Sequence, residues 1–259
     1  MTDVLVNIGV PAQVLGFPLW FAAGAALLAG CARGFSGFGA GLIFMPLASS
    51  TLGPQVAAPV LLLIDTVLIA PFVPAAWHTC DKRAVSWMAL GAYAGVPAGA
   101  AALVLVEETT MRWLLVALIA ALLALLVSGW RYGGRPRAPL TLGVGMVSGL
   151  LSAAAQVGGP PAIAYWLGSR AKAAEVRANL VVFIVLAALG AAVAYLVGGL
   201  LTPPILALAL VIGPFYGLGL FLGSRAFGLA GEVVFRRICY GLIALAAIVS
   251  LPALDGVLR

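Results

Sequence analysis

Long apolar runs divided by short polar punctuation dominate this chain. A helix needs about 20 apolar residues to cross the hydrocarbon core of a bilayer. Runs of that length lie at 55–77, 84–106, 112–130, 177–198, 203–224 and 233–252. Two further apolar stretches do not fit one crossing each. Residues 17–50 are too long for a single helix and are interrupted by RGFSGFGAG (33–41). Residues 139–168 are interrupted by AAAQVGGPP (153–161). Each is readable as a pair of half-helices, a re-entrant hairpin or two short spans. The pattern predicts an all-α polytopic membrane protein with about eight hydrophobic segments.

Composition agrees: 64% of the residues are hydrophobic and 8% charged, against roughly 25% charged in soluble domains. Too few charges remain to build a soluble surface. The net charge of +6 would suggest nucleic acid in a soluble protein, but the placement of the basic residues points elsewhere. Eleven of the 14 lie in four loops: Lys82 and Arg83; Arg131, Arg135 and Arg137; Arg170, Lys172 and Arg177; Arg225, Arg236 and Arg237. Basic loops face the cytoplasm. All four can do so only if 17–50 and 139–168 each go in and come back, which leaves both termini outside. Each half of the chain, 17–130 and 139–252, then holds one hairpin and three spans. The odd number of crossings makes the halves opposite in orientation. The N-terminal MTDVLVNIGVPAQ has no Lys or Arg, so a cleaved signal peptide is not expected.

A faint internal repeat agrees. Gly39 recurs as Gly158, Pro59 matches Asn179, and Gly91/Gly95 recur as Gly213/Gly217, at offsets between 119 and 122. Inverted repeats with broken helices at matching positions are a transporter signature, and the breaks mark the substrate site.

The candidate chemistry gathers at the breaks. A half-helix N-terminus carries partial positive charge and free N–H donors. Gly37, Gly39, Gly41, Gly158 and Gly159 would let the backbone approach an anion closely, or would simply let helices pack. Arg33 stands at the end of the first arm. Its planar fork suits a sulfonate, sulfite or carboxylate, although a first arm of about 24 Å would equally let it reach the cytoplasmic interface. Asp65, a carboxylate deep in a span, would carry a proton, pair with Arg33 or bond a neighbouring helix. Ser36, Gln156 and Asn179 add neutral polar groups. His78, beside Trp77, and Arg112 read as boundary anchors.

Other chemistry is excluded. RGFSGFGAG lacks the strand–helix context and ribose-binding acid of a dinucleotide site, and no Gly-Lys-Ser follows it. Cys31, Cys80 and Cys239 are scattered and His78 is the only histidine, so no metal centre, cofactor or nucleophile–base pair is expected.

GFSGFGAGLIFMPL (34–47) and SAAAQVGGPPAIAYWL (152–167), with GAYAGVPAG (91–99) and GPFYGLGLFLG (213–223), resemble the sulfite exporter TauE/SafE family of bacterial permeases over roughly residues 17–252. Its motif residues fall on Gly34, Gly37, Gly39, Gly41 and Pro46, and on Gln156, Gly158, Gly159 and Pro160. The alanine run before Gln156 departs from the expected glycine-rich approach, and Arg33 is not part of the family pattern. The resemblance implies transport of sulfite or organosulfonates across the bacterial inner membrane. The expected partners are a small anion and the surrounding lipid, with no nucleic acid and room for a homodimer. An inside-negative potential favours anion exit by about 2.3 kcal/mol per charge per 100 mV, so export needs no coupling ion. An anion channel and a non-transporting subunit of a membrane complex are the rival readings.

Overall fold

The structure is a computed structural model that describes residues 6–37, 39–130, 132, 137–168, 172–226 and 232–254, without the side chains of 36, 173, 226 and 232–236. Among these residues there are eleven α-helices and no strand: α1 (Phe17–Ser36), α2 (Ala40–Leu52), α3 (Pro54–Ile69), α4 (Val73–Thr79), α5 (Lys82–Leu105), α6 (Glu108–Ser128), α7 (Ala138–Ala155), α8 (Gly159–Leu167), α9 (Ala173–Val197), α10 (Pro203–Ala226) and α11 (Glu232–Val249). A short 3-10 turn, Ala70–Phe72, joins α3 to α4, and together they form one crossing. Seven helical segments among the described residues are long and apolar enough to span a membrane. This is a multi-pass membrane protein.

The same order of elements occurs twice: α1 to α6, then α7 to α11, with α3 and α4 counting as one. Each broken stretch is a long arm followed by a short one. The 20 residues of α1 make about 30 Å and the 13 of α2 about 20 Å; the 18 of α7 make about 27 Å and the nine of α8 about 14 Å. Each broken stretch is thus one arm of full crossing length and one that falls short of it.

The two halves are bound by exchange. α1 of the first half packs most extensively on α10 of the second, and α7 of the second on α5 of the first. Both pairs run parallel, because Gly30 meets Tyr216 while Gly34 meets Leu220, and Gly91 meets Leu142 while Gly95 meets Met146. A Cβ at Gly30, Gly34, Gly219 or Gly223 would overlap the backbone of the facing helix, as it would at Gly91, Gly95, Gly99, Gly145 or Gly149. Lipid tails are as apolar as leucine, so helix association in a membrane depends on such close van der Waals packing. A Cβ at Gly213 or Gly217 would meet the side chains of Ile64 and Leu68 of α3 at 3.5 and 3.6 Å, in ordinary contact. On a helix, Gly219 lies about 200° round from Gly217, so α10 turns two glycine faces to two different neighbours.

End contacts sort the helix termini onto two faces. On one face Glu108 lies against Gly53, Gln55 Nε2 donates to Leu103 O at 3.2 Å, and Arg112 Nη2 donates to Ser250 O at 3.4 Å. On the other, Asp81 N donates to Asn179 Oδ1 at 2.8 Å, Tyr132 N to Ala164 O at 3.2 Å, and Tyr240 Oη to Leu126 O at 3.3 Å. Each broken stretch leaves and returns to one face, α1–α2 to the first and α7–α8 to the second. The second face carries Lys82, Arg83, Arg137, Lys172, Arg177, Arg225 and Arg237; Arg131, Arg135 and Arg170, and the side chain of Arg236, lie outside the described residues. Arg112, expected at the interface, is buried within α6 and ties it to the end of α11. His78 and Trp77 are exposed at the second face, where Lys82 Nζ sits 5.4 Å from the Trp77 ring centroid.

Candidate functional site

The first break is made by two glycines. Gly37 ends α1 with φ +76°, its N–H donating to Arg33 O at 2.8 Å, and Gly39 caps α2 with φ +94°. Side chains other than glycine's are disfavoured there by about 1–2 kcal/mol. The second break uses the same left-handed turn at the equivalent position, 119 residues on, but the residue is Gln156 with φ +55°. Among the described residues it is the only non-glycine with positive φ. Its side chain offers a reason: Gln156 Nε2 donates to Tyr195 Oη at 3.3 Å, and that hydroxyl donates to Ala153 O at 2.5 Å. The strained turn is thus laced to α9.

The two tips touch. A Cβ on Gly41 would overlap the carbonyl of Gln156. Between them lies a cavity of about 50 Å³. By this measure a water needs about 10–15 Å³, so there is room for roughly three to five water-sized groups. Arg33, Asp65 and Thr66 line it from the first half, and Ser152 and Gln156 from the second, with the backbone of Gly39–Gly41 and Gly158–Pro160. Phe183, Ile184, Ala187 and Ala188 of α9 close one wall.

Arg33, near the end of α1, has its guanidinium engaged by partners inside the protein. It is 7% exposed. Its Nε and Nη2 bracket Asp65, at 3.2 Å to Oδ1 and 3.2 Å to Oδ2, and Nη1 donates to Gly37 O at 2.6 Å. Tyr216 Oη donates to Asp65 Oδ1. The pair is bidentate, the stronger form of this contact, and it joins α1, α3 and α10.

The amide donors are unequal at the two tips. α2 begins with no side-chain cap, so the N–H groups of Ala40 and Gly41 precede any helical carbonyl partner. α8 begins Gly159, Pro160, Pro161, and proline has no N–H. The second tip therefore offers fewer backbone donors than the first. Two further candidates are not among the residues lining the cavity: Gly37 is exposed, and Asn179 is buried with its carbonyl accepting from Asp81 N; the side chain of Ser36, the last residue of α1, lies outside the described residues. Sequence reading missed Tyr216, Tyr195, Thr66 and Ser152. A lone tyrosine in the middle of an apolar span was the available signal for Tyr216, and one near the end of a span for Tyr195.

A protein-family model described as "Sulfite exporter TauE/SafE" matches residues 22–250. No curated protein and no solved structure gives a significant match.

Proposed function

Given that this chain belongs to the sulfite exporter TauE/SafE family of membrane permeases, we propose that it is a secondary transporter carrying a small sulfur oxyanion out of the bacterial cell across the inner membrane. The observation that carries this reading is the cavity between the two helix breaks, with the buried Arg33–Asp65 pair and the first-turn amides of α2 on one side and neutral polar groups on the other. Residues 17–130 and 139–252 act as the two inverted repeats, and their relative movement exposes the cavity to either face. The basic face is cytoplasmic by the positive-inside rule, which sets both termini in the periplasm.

The test is sulfite flux in proteoliposomes. Saturable flux that other sulfur oxyanions compete with supports the proposal. Flux that rises linearly with concentration identifies a channel, and flux no greater than in empty vesicles overturns transport altogether.

A further inference from the structure

Asp65 occupies the edge of Arg33 that an oxyanion would use. Resting on the transport reading above, we propose that Asp65 is a built-in counter-anion, and that the site takes up one proton on Asp65 for each oxyanion it binds. The guanidinium is always charged and nearly buried, so it must keep an anionic partner. In the empty site Asp65 supplies it, with both carboxylate oxygens engaged by Arg33 and one also by Tyr216. An oxyanion arriving in a cavity of about 50 Å³ meets a second negative charge a few ångströms away, and two anions so close do not both stay ionised. Protonation of Asp65 releases the Nε and Nη2 edge to the oxyanion while the hydroxyl of Tyr216 can turn to accept.

The balance is one anion and one proton in, with Arg33 charged throughout. A sulfite dianion bound this way leaves the site with one net negative charge, which an inside-negative potential still drives outward. Among the described residues, the charged or titratable groups facing Asp65 are Arg33 from α1 and Tyr216 from α10. The other packed elements bring only glycine, proline, apolar residues, Ser152 and Gln156 to the cavity.

The experiment is calorimetric titration of sulfite into the purified full-length protein, in buffers of different ionisation enthalpy, for wild type and Asp65→Asn. Sulfite's own protonation contributes equally to both, so the difference counts the proton on Asp65. The expected difference is one proton, with wild-type affinity falling about tenfold more per pH unit than the variant's at high pH. Asp65→Asn, which leaves Arg33 unopposed, is expected to bind at least as tightly as wild type. Tyr216→Phe, which removes a donor to the ionised carboxylate, is expected to move the wild-type pH dependence to higher pH. Equal proton counts, or a pH profile unmoved by Tyr216→Phe, overturn the inference and leave the transport reading standing. A wild type that binds no sulfite overturns both.

Discussion

The two breaks share one backbone design and differ in chemistry. Both end a long arm with a left-handed residue, start a short arm three residues later and return to the face they came from. The first uses glycine at the turn, opens α2 with free amides and sets Arg33 behind them. The second holds a glutamine in the same turn by a hydrogen bond to Tyr195 and opens α8 with two prolines. The fold is duplicated and the charge is not. On the proposed transport reading, the first tip would read substrate charge and the second would shape the cavity.

This contrast is broken most sharply at Arg33. Arg33→Ala removes the cation and strands Asp65, and is expected to lower sulfite affinity by 100-fold or more, in line with about 2–5 kcal/mol for truncating a buried charge pair; titration calorimetry measures it. Gln156→Ala, the matching truncation at the second tip, is expected to stay within about tenfold, since it loses one neutral hydrogen bond of about 1 kcal/mol. Equal losses at the two sites would end the asymmetry.

Next in size are the helix crossings. Gly219→Leu sets a side chain onto the backbone of α1 and is expected to destabilise the fold by about 1–3 kcal/mol or more, read as loss of monodisperse protein on size-exclusion chromatography. Gly213→Ala, against Ile64 at 3.5 Å, is expected to behave as wild type. The smallest effect tests the turns themselves. Gly37→Gln gives the first break the residue of the second with no Tyr195 to hold it, and should cost about 1–2 kcal/mol in thermal stability. Gln156→Gly should change stability by less than about 1 kcal/mol, because relieved strain offsets the lost bond.

Much of this was legible in the sequence, for identifiable reasons. The breaks were visible because glycine and proline interrupt apolar runs, and the in-and-back path of each hairpin followed from where the arginines cluster. Arg33 was found as a charge in an apolar stretch, and pairing with Asp65 was one of the options its position left open. What stayed hidden depends on helix rotation and on the exchange between halves. Tyr216 reaches Asp65 because α10 of the second repeat packs against α3 as well as α1 of the first. Spacing alone made Gly213/Gly217 and Gly219/Gly223 equally good crossing candidates, since a four-residue interval marks a face without saying what it meets. Asn179, read as a site donor, lies about one turn of α9 before the cavity-lining Phe183, and its carbonyl accepts from Asp81 N in the α4–α5 connection.

The central claim is that an oxyanion binds at the first tip. Selenate or selenite, heavier analogues of the sulfur oxyanions, would locate it directly by anomalous diffraction from crystals of the complex. The account predicts a selenium peak in the cavity, within hydrogen-bonding reach of Arg33 and the amides of Ala40 and Gly41. A peak at the second tip against Gly159, or at the basic face with the cavity empty, would contradict it.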